Sequence, residues 1–194
     1  MYHTFSEEEI RGYCRTNIEA LEKWARFIIN RELTKVYGDN YFNYEQNGEP
    51  IIKHEVREKA ETMIRKEPGR FKSKIDTLYL EEIIYILCKD NLYKAYFSKI
   101  FKGVYPNGCN EARTFLKRLI PIRNRLSHST PISIRDAEQA ICYSHDFIDG
   151  IKQYLESEGQ GKVFNVPHAI RLNDSLGNEF ELSGDTPCEH IEIL

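Results

Sequence analysis

Residues 6–38 read SEEEIRGYCRTNIEALEKWARFIINRELTKVYG. Ser6 followed three places later by Glu9 makes a capping box, and Phe5 with Ile10 has the spacing of a hydrophobic staple, so a helix is predicted to start at Ser6. Apolar residues then recur at Ile10, Tyr13, Cys14, Ile18, Leu21, Trp24, Ala25 and Ile28. Steps of three and four put them on one buried stripe, until Gly38 and Asp39 stop the helix. A stripe of that length has to be covered by other elements, and the rest of the chain supplies helices for it.

Asn40 to Pro50 is polar and turn-rich and reads as a loop. A second, amphipathic helix is expected from about Lys53 to Lys66, with Val56, Ala60, Met63 and Ile64 inward and Pro68-Gly69 ending it. From Asp76, apolar residues from Leu78 through Leu87 cover most of a helix circumference, as expected of a central helix packed on several sides. A stripe from Leu92 to Phe101 follows a break near Asp90-Asn91, and Tyr105 to Cys109 is a turn. Asn110 is expected to cap the next helix, with Ala112, Phe115, Leu116 and Leu119 inward. Pro121 cannot donate to the helical ladder, so this segment either kinks there or restarts with Pro121 as its first residue. A last long helix begins at Ser133, boxed by Asp136, with Ile134, Ala137, Ile141, Ser144, Ile148, Ile151 and Leu155 on a bundle or dimer stripe. After Gly159 come short segments, some alternating, with turn residues between Leu172 and Glu179, which read as a small acidic β-hairpin appendage. The expected fold class is therefore all-α, a helical bundle over residues 1–158, with a β-rich tail over 159–194.

The chain has 194 residues, with 27 Lys and Arg against 30 Asp and Glu and a net charge of −3. This balance argues against a general coat for polyanions, while 41% hydrophobic residues with 29% charged fit a globular domain. The longest apolar runs, such as Ile83 to Cys88, are too short to cross a bilayer, and the opening residues lack a secretion signal. Five scattered cysteines (Cys14, Cys88, Cys109, Cys142, Cys188) read as reduced thiols, so a cytoplasmic location and no membrane partner are expected.

One short stretch stands apart: Arg123-Asn124-Arg125-Leu126-Ser127-His128. It resembles the signature of the HEPN superfamily, small helical domains whose arginine and histidine, separated by a few residues, form a metal-independent ribonuclease site. The likeness covers about three quarters of the chain. The Tyr37-Gly38-Asp39-Asn40-Tyr41 step, the apolar Ile75 to Phe101 and the segment Leu119 to Ser133 are similar in order to the abortive-infection and RNA-quality-control branch of that family. The resemblance implies a HEPN-like bundle, a homodimer with two motifs brought together, RNA as substrate, and no cofactor. It also implies a setting in antiphage defence, as a toxin or in stress response, with an antitoxin or a sensor or effector protein as a further partner. In some relatives a Tyr two places after the motif His is modified by a partner enzyme; here that place is Thr130.

The residues make a case of their own. On a regular helix Arg123 and His128 lie about 140° apart, whereas Asn124 and His128 lie about 40° apart, so Asn124 is expected to orient the imidazole. If the helix ends near Ser127, as Thr130-Pro131 suggests, His128 can turn towards the groove that Arg123 lines. His128 is then the general base or acid, Arg123 the cation beside the phosphorane, and Arg125 a phosphate contact joined by Arg113, Lys117 and Arg118. Those five basic residues oppose only Glu111 between Asn110 and His128, and a second basic run spans Arg65 to Lys74. Tyr37, Tyr41, Phe42 and Tyr44 are candidates for stacking on bases. In the competing structural reading Arg123 pairs with an acid and His128 caps a helix end, leaving a noncatalytic RNA-binding or effector-docking module.

Other constellations are incomplete. Cys142 with His145, or Cys188 with His190, supplies too few ligands for zinc, and no metal is assigned. Ser127, His128 and Asp136 lack the elbow of a serine hydrolase, and no glycine-rich phosphate loop occurs.

Overall fold

The computed structural model describes residues 6–46 and 48–160, together with the backbone of one short strand pair in the tail. Helix α1 (Glu7–Tyr37) opens on the expected box: the Glu9 N–H donates to Ser6 Oγ at 3.2 Å, and the Glu9 carboxylate accepts from the Ser6 N–H at 2.8 Å. It ends at Gly38, whose φ of +75° is open to glycine and whose N–H donates to the Thr34 carbonyl. The stripe from Ile10 to Leu33 is buried, with one exception, since Tyr13 is exposed. The staple with Phe5 lies outside the described residues.

The expected loop holds more structure than its polarity suggests. A 3₁₀ turn at Tyr41–Asn43 leads into strands β1 (Glu45–Gln46) and β2 (Glu49–Pro50), antiparallel with Glu45 opposite Pro50. Strands of two residues are too short to show alternation. Helix α2 (His54–Lys66) buries Val56 and Ala60 and leaves Met63 and Ile64 half-buried.

Helix α3 (Leu80–Leu87) starts later than its apolar run predicts. A 3₁₀ turn over Lys74–Thr77 precedes it, and Tyr79 is an extended N-cap whose N–H donates to Glu82 Oε2 at 2.8 Å. The helix itself is central, with Leu80, Ile83, Ile84, Ile86 and Leu87 buried between α1 and the later helices. Helix α4 (Asp90–Leu92) runs through a π turn (Tyr93–Phe97) into α5 (Ser98–Phe101). Helix α6 (Cys109–Lys117) is entered from Gly108, at φ +83°, so Asn110 sits inside the first turn and does not cap it; its amide oxygen accepts from Arg113 Nη1 at 2.8 Å. Helix α7 (Leu119–Ser127) follows a break at Arg118. Pro121 is its third residue, within the first turn, where an N–H has no intrahelical acceptor and its loss costs little. The helix thus restarts two residues earlier than the proline alone suggests.

Helix α8 (Ile134–Ser157) begins at the predicted Ser133 cap. It lies along α1 and also packs on α5 and α7, burying Ala137, Ala140, Ser144, Phe147, Ile148, Ile151 and Leu155. Most of its apolar stripe is consumed inside the bundle; Ile141 is half-buried, and Ile134, expected inward, is exposed at the mouth of the helix. Gly150 allows close approach: a Cβ there would lie 2.9 Å from Val104 Cγ2 and 3.4 Å from Phe101 Cδ1. In the tail, β3 (Leu172–Asn173) pairs antiparallel with β4 (Glu179–Phe180), at the place where a hairpin is expected. The other expected tail segments lie outside the described residues. The fold is thus mostly helical with two short antiparallel ladders, and none of the described helices is long and apolar enough to cross a membrane.

Asp136 at the start of α8 joins two helices. Its carboxylate accepts from the Ser133 N–H and hydroxyl, both at 2.9 Å, and pairs with Arg125 Nη1 of α7 at 2.5 Å. Burial opposes the charge, but these bonds outweigh it and hold the carboxyl below its ordinary pKa. The resulting stability is whole above the ordinary aspartate pKa. It drains as pH falls through that value towards the depressed one, because the unfolded chain takes up the proton first. Asp136→Asn should therefore lower stability at neutral pH by about 1–3 kcal/mol and flatten its decline over that acid interval. Urea unfolding of both proteins across that interval measures the effect; parallel pH profiles would contradict it.

Candidate functional site

The motif helix ends where the sequence suggests. Ser127 is the last residue of α7 and His128 is its C-cap, with φ −104° and its N–H donating to the Asn124 carbonyl at 3.1 Å. Ser129 then takes a left-handed φ of +53°, which turns the chain off the helix axis towards Pro131. The imidazole of His128 is exposed, with no partner among the described residues. Asn124 is half-buried, and its amide does not hydrogen-bond that imidazole; the link between the two residues is through the backbone. The orienting role expected of Asn124 is not formed.

A residue that the sequence did not suggest holds this turn in place. Arg11 of α1 donates from Nη1 to the Thr130 carbonyl at 2.6 Å and from Nη2 to the carbonyls of Arg125 and Leu126, both at 3.4 Å. A cation at a helix C-terminus satisfies the last carbonyls and opposes the negative end of the helix dipole.

Arg123 points to α1 and α3. Its Nε lies 3.9 Å from Glu22 Oε1, and its guanidinium sits 4.8 Å from the centre of the Tyr79 ring. Glu22 is fixed by Arg26 Nη2 at 2.7 Å, and Arg26 in turn donates to the Leu78 carbonyl. Burial pushes the Glu22 carboxyl above its usual pKa, with Arg26 and Arg123 pulling the other way. Between α1 and α7 these groups border a cavity of about 240 Å³ whose wall includes Arg15, Glu19, Glu22, Arg123, Leu126 and Ser127. His128 follows Ser127 directly, outside that wall. No hydrogen bond joins Arg123 to His128 within one chain; the arginine is turned to Glu22 and Tyr79.

The other expected RNA contacts are dispersed and partly engaged. Arg125 is paired with Asp136. Arg118 donates to the Tyr143 hydroxyl at 2.8 Å and lies over the Phe115 ring. Arg113 pairs with Asp90 at 3.2 Å and donates to the Cys88 carbonyl. Lys117 is exposed, and with Arg113 it lines a different cavity, of about 380 Å³, between α3 and α6. In the second basic run, Lys74 pairs with Glu61 at 2.7 Å and Arg70 pairs with Glu67. Of the candidate stacking residues, Tyr41 and Phe42 are core, Tyr37 shares a hydrogen bond with Tyr96 at 2.8 Å, and Tyr44 is exposed.

Ser127 Oγ donates to the Arg123 carbonyl at 3.2 Å and Asp136 serves the α8 cap, so these two do not assemble a hydrolase triad with His128. Among the described residues no group of three or more His, Cys, Asp or Glu is placed to hold a metal ion. Comparison with known proteins gave no match to a family model, a curated protein or a solved structure.

Proposed function

We propose that the chain is a HEPN-type endoribonuclease with a HEPN-like bundle, whose cutting site is completed by a second copy of itself. The observation that carries this reading is the end of α7. The helix stops at Ser127 and releases an exposed His128, without a partner among the described residues, one turn beyond Arg123, a cation bordering a cavity. Cleavage of RNA through its own 2'-hydroxyl needs a base for that proton, a cation beside the pentacoordinate phosphate, and an acid for the leaving 5'-oxygen. One imidazole serves as base or as acid, and two serve as both. A two-fold dimer that faces one motif with its copy supplies the second imidazole and a second guanidinium.

In this scheme one His128 takes the 2'-hydroxyl proton as the oxygen attacks phosphorus, the Arg123 guanidinia hold the phosphorane oxygens, and the other His128 protonates the 5'-oxygen as its bond to phosphorus breaks. The products end in 2',3'-cyclic phosphate and 5'-hydroxyl. The defence, toxin or stress setting, and an antitoxin or sensor partner, follow from the family resemblance.

The test is incubation of the protein with single-stranded RNA in the presence of a chelator, with the termini analysed and the oligomeric state measured in parallel. Cleavage to cyclic-phosphate ends by a dimer is the expected result. The proximity of Arg123 to Glu22 and Tyr79 favours a second reading, a noncatalytic module in which that arginine is structural. An intact RNA, bound but uncut, would decide for it.

A further inference from the structure

Tyr79 falls in an apolar run and reads as part of a buried helix face, yet it stands outside α3 as its extended N-cap and is 39% exposed. Two elements converge on its ring. Lys59 Nζ of α2 lies 4.3 Å from the ring centre, and the Arg123 guanidinium of α7 lies 4.8 Å away. Glu82 fixes the arrangement from below, accepting from the Tyr79 N–H and pairing with Lys59. Arg123 thus faces two ways, towards Glu22 and its cavity on one side and towards this exposed aromatic on the other.

We infer that Tyr79 and Lys59 form a nucleotide subsite beside Arg123, holding single-stranded RNA one nucleotide from the phosphate that Arg123 contacts; this rests on the proposed ribonuclease reading. The chemistry of the three side chains matches a nucleotide part by part. A base has a π-face for a phenol or a guanidinium plane, and its phosphate is an acceptor for an ammonium ion. Lys59 keeps 38% of its side chain exposed, and Arg123 keeps 25%, so both cations are reachable from solvent. The competing account is a clasp, in which the two cations merely staple α2 and α7 to the start of α3. A clasp would use the ring as a seat for the two cations but does not call for leaving it this open to solvent.

The test measures binding of a fluorescein-labelled RNA of about ten nucleotides, the scale of one single-strand site, by anisotropy. The full chain carrying His128→Ala serves as background, so that chemistry does not consume the probe. Adding Tyr79→Ala should weaken binding about tenfold, and Tyr79→Phe, which keeps the ring, should restore it. Lys59→Gln should weaken binding and reduce the salt dependence by about one phosphate contact. An abasic RNA should bind the background protein more weakly but be indifferent to Tyr79→Ala. Equal affinity of Tyr79→Ala and background overturns the subsite. So does a Tyr79→Ala protein that loses affinity for normal and abasic RNA alike together with thermal stability, which is the clasp. The two readings fail separately. A wild-type protein that leaves RNA uncut while Tyr79 governs base-dependent binding removes the nuclease and keeps the subsite, whereas cleavage with Tyr79-independent binding does the reverse.

Discussion

Replacing His128 with Ala is expected to lower the rate of RNA cleavage by about 10²–10⁴-fold, the usual contribution of a positioned acid–base group. The same change should leave thermal stability within about 0.5 kcal/mol of wild type, as for most surface substitutions. Both halves follow from one placement. The imidazole is exposed at the end of α7 with no partner among the described residues, so its loss removes no packing and strands no buried group there. A residue kept for structure would behave oppositely, lowering stability and sparing turnover. The backbone bond from the His128 N–H to the Asn124 carbonyl survives the substitution, so the helix still ends at Ser127. Rates on a labelled single-stranded RNA, read beside a thermal melt, make the comparison. Full cleavage by the variant would remove His128 from the mechanism and with it the dimeric scheme.

The largest effect on stability is expected at Trp24. Its side chain is fully buried on α1, edge-on to Phe27 at 5.9 Å, and Lys152 of α8 lies 5.9 Å from the ring centre. Trp24→Ala deletes the largest side chain in the seam between α1 and α8 and leaves a cavity that the long helices on either side cannot close without moving together. The expected loss is about 3–5 kcal/mol, a large part of the 5–15 kcal/mol typical of a domain. Urea unfolding followed by circular dichroism should show the midpoint fall at unchanged slope. An unmoved midpoint would mean that the α1–α8 seam is not what holds the bundle.

The two long helices were legible because their starts carry redundant local signals. Ser6 with Glu9 and Ser133 with Asp136 make boxes within four residues, and each is followed by a periodic stripe. The structure departs from the sequence pattern where a local signal is ambiguous. Tyr79 is apolar enough to pass for a helix face, yet it precedes the helix, and Asn110 is a good cap beside a glycine, Gly108, that takes the position instead. The end of the motif helix was legible from Thr130 and Pro131, which disfavour continuation. What surrounds the motif was not. Glu22, Tyr79 and Arg11 approach it from distant parts of the chain, and Arg11 is 119 positions from the carbonyl it bonds. Nor does a run of basic residues reveal which of them are neutralised. Arg125 and Arg113 read as free cations, and the fold gives each an aspartate.

The pairing of α1 with α8 governs how the chain matures on the ribosome. About a hundred residues separate the end of α1 from the start of α8, so at 5–20 residues per second roughly 5–20 s of synthesis pass before the first helix meets its partner. Throughout that interval a nascent chain presents the part of the stripe from Ile10 to Leu33 that α8 covers, the kind of greasy ribbon that chaperones seize. Products stopped short of α8 are therefore expected to partition to proteolysis rather than persist as half-built molecules.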